Sequence, residues 1–441
     1  MKKGRFLEIN LGIFLFVFAV AGCAYAGVPA LTVSGNQVLS GGQVKSFAGN
    51  SFFWSNTGWG QEKMYNASVV KWLKNDWKST IVRVALGADE NGSYLEDPEG
   101  NVARIETVVD AAIANDLYVI IDFHSHHAED KKAQAIAFFE RMAQKYGTYN
   151  NVIYELYNEP LQISWSSVIK PYAEDVISAI RSIDPDNLIV VGTPTWSQDV
   201  DVASRDPIMA TNVAYALHFY AGTHGQSLRD KALTAMNNGI ALMVTEWGSV
   251  SASGDGAVAE ANSNAWMAFL KAHNLSHLNW AVSDKNEGAS IIKPGVNPSG
   301  GWTASDLTAS GRYVKGVIAN WDGSGDGTDD GSGGDTDPPS GGKVSCEHLI
   351  VNAWPGGFQG AVRITNNTTG VVNGWKVNWS YNDGTTIVNS WSSQFSGNGP
   401  YTAGNLSWNA VIAPSQSVEF GFIGRGNGHA SVVTGDVCRG S

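Results

Sequence analysis

The chain has 441 residues, enough for about two or three domains and at least one large hydrophobic core. Its formal net charge is −12 and no run of Lys or Arg is longer than two residues, which excludes partners that bind through a basic surface, namely nucleic acids and anionic membranes. The 16 Trp, the 50 Gly and a charged fraction of only 16% favour a neutral partner with flat faces that stack on aromatic rings.

The N-terminal segment has the pattern of an export signal. Basic residues lie within positions 2–5, and an apolar run over residues 11–21 leads to small residues that end at Ala26. The run is too short to span a bilayer, so we predict a secretory signal peptide over residues 1–26 and an extracellular protein. A lipobox-like sequence that ends at Cys23 leaves one alternative open, an outer-membrane lipoprotein anchored by a lipid on Cys23.

Residues 27–322 alternate short apolar runs with amphipathic stretches. Eight runs have the character of strands: Ser46–Phe53, Ile81–Leu86, Tyr118–Phe123, Val152–Tyr157, Leu188–Val191, Val213–Leu217, Ile240–Val244 and His277–Ala281. Helical spacing separates them, for example Ile136, Phe139, Ala143 and Tyr146, and the stretch Trp165–Ile183. The pattern predicts an α/β fold, a (β/α)₈ barrel, ahead of an open doubly wound sheet, because no Gly-rich phosphate loop follows the first strand.

Residues 323–343 contain Gly, Ser, Asp and Pro but no large apolar residue. Such a composition cannot form a core and predicts a flexible linker between two domains. A calcium site formed by its aspartates is the alternative interpretation.

The last segment, residues 344–441, changes to a period of two. Trp375, Val377 and Trp379 alternate with polar residues, which predicts an all-β sandwich. Cys346 and Cys438 bracket this segment and are the cysteines left after removal of the signal peptide, so we expect them to form a disulfide, with two free thiols as the alternative.

Two glutamates follow predicted strands, Glu159 in Tyr157-Asn158-Glu159-Pro160 and Glu246 in Thr245-Glu246-Trp247-Gly248. In a barrel, chemistry takes place where strands end and loops begin. Cleavage of a glycosidic bond needs one protonated carboxyl group and one ionised carboxylate, which two such residues supply. We therefore predict Glu159 as acid and base and Glu246 as nucleophile; an exposed or salt-bridged structural role is the alternative for each.

The neighbours must separate the pKa values of these two groups. We expect Arg83 to keep Glu246 ionised, Tyr220 to donate a hydrogen bond to it, and Asn158 to bond the sugar 2-hydroxyl. A purely structural role for Arg83 stays open. The run His124-Ser125-His126-His127 could hold zinc, but it lacks a Cys or a positioned third carboxylate, and we expect neither a metal nor a cofactor.

Five segments, in this order and on predicted strand ends, resemble bacterial endoglucanases of glycoside hydrolase family 5, subfamily 2. They are Asn158–Pro160, Gly192–Val200, Ala216–Gly225, Thr245–Gly248 and Asn279–Lys285. The resemblance spans the whole barrel and implies a secreted endo-β-1,4-glucanase that cuts cellulose by a retaining double displacement.

The resemblance also implies residue roles. Arg83, His124, Asn158, His218 and Tyr220 match the positions around the sugar at the cleavage point. Trp280 matches a stacking platform, Lys285 and Glu287 match contacts one sugar further out, and Trp196 matches a leaving-group platform. The chain departs from the family in the first loop, where relatives have a His before the stacking Trp, and we expect Trp59 rather than Trp54 to fill that distal position. Phe123 stands where relatives have Trp, a change that should leave His124 in place.

Three tryptophans of the C-terminal segment lie in polar or turn-rich surroundings: Trp354, Trp391 and Trp408. An exposed Trp favours a ligand, and the segment resembles a family 2 carbohydrate-binding module in which these residues form a planar strip for cellulose. The expected partners are cellulose and soluble β-1,4-glucans, bound by a monomer. A mannanase or xylanase on the same barrel and a non-catalytic polysaccharide-binding protein are the alternatives.

Overall fold

The structure is a computed structural model that describes residues 27–322 and most of residues 344–440. Trp408 and Cys438 lie outside the described residues, as do the predicted signal peptide and the predicted linker. No helix within the described ranges has the length and apolar character needed to cross a membrane.

The described residues form two compact units, one within residues 1–328 and one within residues 329–441. The first begins with a small antiparallel sheet that the sequence did not predict: β1 (Leu31–Ser34), β2 (Gln37–Ser40) and β3 (Gln43–Val44). Leu31 and Val38 belong to one hydrophobic cluster with the residues inside the N-terminal end of the barrel. The sheet therefore closes that end and leaves the opposite end for ligands.

Eight parallel strands close into a barrel, which confirms the predicted fold. They are β4 (Ala48–Phe52), β5 (Ile81–Gly87), β6 (Tyr118–His124), β7 (Val152–Glu155), β8 (Ile189–Val191), β9 (Val213–Tyr220), β10 (Leu242–Gly248) and β11 (His277–Val282). Neighbours in the chain are neighbours in the sheet, and pairing of β11 with β4 completes the circle.

Helices pack around the strands. The longer ones are Ala67–Asp76, Pro98–Ala114, Lys132–Tyr146, Lys170–Arg181, Gln226–Asn237, Glu260–Ala272 and Ala309–Ala319; Pro194–Ser197 and Val200–Ala203 are single turns; Thr57–Trp59, Glu62–Met64 and Ala128–Lys131 are 3₁₀ turns. The stretch predicted as one helix, Trp165–Ile183, starts instead with a π-helical turn and becomes α-helical at Lys170. Pro171 lies at the point where the π-helical turn passes into the α-helix.

Side chains on each strand alternate between the barrel interior and the helix layer. In β5, β6 and β7 the inward position two residues after a buried isoleucine is charged, and these positions hold Arg83, Asp122 and Glu155. Inside the barrel, a layer of charged side chains thus lies next to an apolar layer, on the side toward the C-terminal ends of the strands.

Strand β10 contains a β-bulge. The step from Met243 to Glu246 on β10 faces the shorter step from Ala216 to His218 on β9, so β10 holds one extra residue. A bulge re-aims side chains, and here it turns the consecutive residues Thr245 and Glu246 both toward the interior, where each makes hydrogen bonds.

The second unit is a sandwich of two antiparallel sheets, as predicted. Its strands are β12 (Val344–Trp354), β13 (Gly357–Asn366), β14 (Trp375–Tyr381), β15 (Thr386–Trp391), β16 (Gln394–Ser396), β17 (Tyr401–Gly404), β18 (Ser417–Arg425), β19 (Val433–Thr434) and β20 (Arg439–Gly440). One sheet has the order β12-β13-β18-β15, and the other has β16-β17-β14-β19 with β20 also paired to β14. Aromatic side chains from both sheets, among them Phe358, Trp379 and Phe422, fill the core. Cys346 is disulfide-bonded, and the pairing with Cys438 stays a prediction.

Candidate functional site

The two predicted carboxylates meet at the C-terminal mouth of the barrel. One oxygen of Glu159, one oxygen of Glu246 and one ring nitrogen of His218 all lie within 4.8 Å of one another. Retaining glycosidases hold their two carboxyl groups about 5–5.5 Å apart, whereas inverting enzymes leave about 6.5–9.5 Å for a water molecule. The spacing here therefore suits direct attack by a carboxylate.

Arg83 is the centre of the charged layer and is fully buried. Its Nη1 lies 3.1 Å from Oε2 of Glu246, its Nε donates to Glu155 over 2.6 Å, and its Nη2 donates to Oδ1 of Asn158 over 2.7 Å. Nη2 also lies 3.0 Å from Asp122. One guanidinium thus positions the candidate nucleophile and the candidate 2-hydroxyl ligand together.

Each carboxylate has its own set of partners. Tyr220 donates a hydrogen bond to Oε1 of Glu246 over 2.8 Å, as expected. Glu159 instead contacts two imidazoles, with Nδ1 of His218 3.1 Å from Oε1 and Nε2 of His126 3.1 Å from Oε2. The two glutamates are therefore chemically distinct although they lie side by side.

The pKa values differ from the expected division. Burial raises the pKa of Glu159, but hydrogen bonds from His126 and His218 outweigh burial and bring its pKa to about 2. Burial, and after it the charge of Glu159, raise the pKa of Glu246, although Arg83 opposes them. Burial lowers the pKa of His218, but the nearby carboxylates outweigh it and raise this pKa to about 9. These shifts favour, in the free site, an ionised Glu159 beside a protonated His218.

Aromatic rings line the mouth beside the carboxylates. The rings of His124 and Trp280 stack with centroids 5.1 Å apart, and Trp54 meets His124 edge-on at 4.5 Å. Nδ1 of His124 lies 2.7 Å from Asp122, and burial lowers the pKa of His124 well below its usual range. A neutral ring at this position can donate to or accept from a sugar hydroxyl.

The residues expected further from the cleavage point lie around this wall. Nζ of Lys285 lies 2.7 Å from Glu287 and 4.9 Å from the ring centre of Trp59. Trp59 has 39% of its surface exposed, whereas Trp54 is partly buried against His124. Trp59 is therefore the more exposed of the two rings, and its role at a distal sugar stays a prediction.

Trp196 follows β8, which lies across the barrel from β4, and is 38% exposed. Thr195 and Trp196 adopt left-handed backbone angles, with φ of 59° and 56°, which is uncommon outside glycine. The Trp196 N–H donates to the carbonyl of Pro160, next to Glu159, over 2.8 Å. This bond between backbone groups ties the segment that carries the exposed indole to the loop that carries the candidate acid.

The histidine run does not converge on one metal position. Within the described residues, His124 contacts Asp122, His126 contacts Glu159, and His127 lies 3.9 Å from Glu129. The three rings therefore have three different partners.

Two of the module tryptophans lie exposed on one sheet, each with 40% of its surface accessible. Trp354 ends β12 and Trp391 ends β15, the two edges of the four-stranded sheet. A Cβ added at Gly421 would lie 2.3 Å from the ring of Trp391, and one added at Gly357 would lie 2.9 Å from Nε1 of Trp354. Both glycines alternate with inward-facing Phe residues, so the two indoles lie on the outer face of this sheet.

Sequence reasoning missed the interior partners of these side chains. Glu155 and Asp122 read as residues inside predicted strands, and the available signals are Arg83, a cation inside another predicted strand, and His124, two residues after Asp122. In the sequence, Thr245 stands out only as part of the motif Thr245–Gly248. His126 was considered only as a metal ligand, although it contacts the candidate acid directly.

Comparison with known proteins gives two matches along the chain. The cellulase family, glycosyl hydrolase family 5, matches residues 35–286. The cellulose binding domain matches residues 344–439. The first covers more than half of the chain and includes both glutamates.

Curated relatives carry related names. Endoglucanase Z of Dickeya dadantii (strain 3937) is 61% identical over 298 residues, which are 68% of this chain and 68% of that protein. An endoglucanase of Clostridium saccharobutylicum is 47% identical over 257 residues, 57% of each chain. The chain thus spans about two thirds of the first of these relatives and somewhat more than half of the second.

Solved structures share the barrel. A chain from Cytophaga hutchinsonii superimposes with a TM-score of 0.64 at 48% identity and covers 66% of this chain and 94% of its own. The catalytic domain of Thermobifida fusca endoglucanase Cel5A gives a TM-score of 0.62 at 31% identity and covers 65% and 96%.

Proposed function

Because this chain belongs to the cellulase family, glycosyl hydrolase family 5, we propose that it is an endo-β-1,4-glucanase that hydrolyses internal bonds of cellulose with retention of configuration. The observation that carries this proposal is the pair of carboxylates, with oxygens within 4.8 Å and different partners. The match to a cellulose binding domain supports cellulose and related β-1,4-glucans as the partners.

In the first step Glu246 attacks the anomeric carbon. The bond from that carbon to the leaving oxygen breaks, and Glu159 gives its proton to this oxygen. Protonation of Glu159 removes the negative charge that raises the pKa of Glu246, while Arg83 and Tyr220 stay in place beside Glu246. A proton on Glu159 therefore favours the ionised form of Glu246, and an ionised Glu246 favours a proton on Glu159.

In the second step the ionised Glu159 takes a proton from water. The resulting hydroxide bonds to the anomeric carbon, the bond to Glu246 breaks, and both carboxyl groups return to their starting states. Asn158, held by Arg83, is placed to bond the 2-hydroxyl of the sugar. His124 and Trp280 form the wall on which that sugar stacks.

We assign distal sugars to Trp59, Lys285 and Glu287, and the leaving-group side to Trp196. In the second unit we assign cellulose adsorption to Trp354, Trp391 and Trp408. The protein is proposed to act outside the cell as a monomer, after export directed by residues 1–26, with residues 323–343 as the linker between catalytic unit and module.

The decisive experiment compares wild type with Glu246→Gln on carboxymethylcellulose, glucomannan and xylan, with reducing ends and product lengths as readouts. Glu260→Gln is the matched control, since Glu260 is exposed at the start of an outer helix. We expect wild type and control to shorten carboxymethylcellulose rapidly and the variant to lose at least about 10³-fold of that rate. Equal product from wild type and Glu246→Gln would favour a non-catalytic binding protein.

Proton NMR of the first product tests the stereochemistry. A β-configured reducing end at early times agrees with the double displacement. An α-configured one would contradict it. Faster cleavage of xylan or glucomannan than of carboxymethylcellulose would move the substrate assignment to that polymer.

A further inference from the structure

A buried chain of hydrogen bonds connects the two candidate catalytic groups behind the mouth. Nε2 of His218 lies 2.8 Å from Oγ1 of Thr245, and Oγ1 of Thr245 donates to Oε1 of Glu155 over 2.6 Å. The other oxygen of Glu155 accepts from Nε of Arg83 over 2.6 Å, and Arg83 reaches Glu246. His218 contacts Glu159 through its remaining nitrogen, Nδ1.

The direction of each bond follows from the number of hydrogens. A threonine hydroxyl has one hydrogen, and here it points at a carboxylate that the Arg83 guanidinium holds as an anion. Only a lone pair of Thr245 is left for His218, so Nε2 of His218 must carry a hydrogen and donate it. The hydrogen bond to Thr245 thereby fixes the tautomer of His218.

A second consequence concerns the contact between His218 and Glu159. If Glu159 is ionised, Nδ1 must be protonated to bond it; if Nδ1 is bare, Glu159 must be protonated and donate. In both cases this contact holds one proton, and the acid step of the proposed reaction consumes that proton.

We propose that Thr245 and Glu155 are positioning residues that hold the second proton of His218 on Nε2, so that the contact between Nδ1 and Glu159 holds one transferable proton across neutral pH. The inference deepens the proposed function and rests on it. The β-bulge in β10 makes the arrangement possible, because it turns Thr245 inward beside Glu246.

The charges around His218 agree with this assignment. Carboxylates outweigh burial and raise the pKa of His218 to about 9, which keeps the shared proton in place across neutral pH. The groups that act on His218 electrostatically or lie in the same charged layer are Glu155, Glu159, Glu246, Asp122, His124 and Arg83.

The test compares two substitutions of one residue. Thr245→Val keeps the shape of the side chain but removes the hydroxyl, whereas Thr245→Ser keeps the hydroxyl. Without its acceptor the imidazolium is less stable, so the alkaline limb of kcat/KM on cellopentaose should move to lower pH by about one unit or more in Thr245→Val. Thr245→Ser should keep the wild-type position of that limb.

A second readout needs no substitution. Long-range ¹H–¹⁵N NMR of the wild-type protein should show His218 with a proton on Nε2 throughout neutral pH, with Nδ1 titrating alone. An unprotonated Nε2, or an alkaline limb in Thr245→Val that coincides with wild type, would overturn the inference. If the wild-type protein hydrolyses none of the substrates, the proposed function is overturned instead. The NMR result would still decide the role of Thr245.

Discussion

Arg83 and Glu246 form a buried ion pair in which Nη1 lies 3.1 Å from Oε2. The same guanidinium also contacts Glu155 and Asp122, and all four side chains are almost completely buried. One cation is therefore surrounded by three acidic groups, and burial together with the two other acids raises the pKa of Asp122 well above its usual range, although Arg83 opposes them. The stability of the fold and the chemistry of the site therefore both depend on Arg83.

Arg83→Lys should damage both properties. The lysine ammonium cannot reproduce the planar fork that reaches Glu155, Asn158 and Glu246 at once, so at least one buried acid loses its partner. We expect a loss of about 3–5 kcal/mol in the free energy of unfolding and a large fall in kcat, measured by urea denaturation and by hydrolysis of carboxymethylcellulose.

Arg141→Lys is the matched control for this prediction. Arg141 is 42% exposed and pairs with Glu99 at the surface, where an ion pair contributes about 0–1 kcal/mol. Equal stability losses in Arg83→Lys and Arg141→Lys would mean that the buried network contributes no more than a surface pair.

The contact between His218 and Glu159 makes stability depend on pH in two directions. The pKa of His218 rises to about 9 on folding, so its contribution is complete below about pH 6.5 and is lost as the pH rises through 9. The pKa of Glu159 falls to about 2, so its contribution is complete above about pH 4.5 and is lost as the pH falls toward 2. Both shifts include the contact between His218 and Glu159, which is strongest between these limits; His126 also contributes to the shift of Glu159, and Glu155 to that of His218.

The difference in Tm between wild type and His218→Gln should therefore be largest near pH 5–6 and should shrink toward both extremes. Thermal melts across the pH range measure it, and the subtraction removes the contributions of other titrating groups. A difference that stays constant from pH 4 to pH 10 would contradict the assigned shifts.

The features of this protein that the sequence predicts are those that depend on local residue patterns. Eight apolar runs identify eight strands, and Glu159 and Glu246 are recognisable because they end two of them. Phe123 packs outward against Phe138 and Phe139, so His124 faces inward, as predicted.

What sequence does not predict depends on register and on distant partners. Strict alternation would place Thr245 and Glu246 on opposite faces of β10, and only the pairing with the neighbouring strands β9 and β11 reveals the extra residue that brings both inward. The proton position has the same origin, since two imidazoles from different strands meet Glu159 and reverse the expected shift of its pKa. Such contacts arise only after the barrel has closed.

Gly248→Ala should lower activity through Tyr220. A Cβ at Gly248 would lie 2.2 Å from Cδ1 of Tyr220, so the ring must move and its hydroxyl loses the 2.8 Å bond to Glu246. We expect a fall of about 10–100-fold in kcat, similar to that of Tyr220→Phe, because small displacements at a reacting group have effects of this size.

Gly316→Ala provides the comparison for Gly248→Ala. Gly316 lies in the outer helix Ala309–Ala319 with no other atom within 4 Å of an added Cβ. This change should leave kcat unaltered and raise the free energy of unfolding by up to about 1 kcal/mol. Wild-type kcat in Gly248→Ala would show that Tyr220 does not need its present position.

Trp391→Ala should separate adsorption from catalysis. The indole lies across Gly421 on the outer face of its sheet and is not part of the hydrophobic core, so its removal opens no cavity there. Because the flat ring supplies the apolar surface for a glucose unit, we expect adsorption to insoluble cellulose to weaken by about tenfold, while hydrolysis of soluble carboxymethylcellulose and the Tm stay near wild type. Val388→Ala removes another exposed apolar side chain from the same strand and should leave adsorption unchanged. Equal adsorption isotherms for the Trp391→Ala and Val388→Ala proteins would mean that the outer face of this sheet does not bind the polymer.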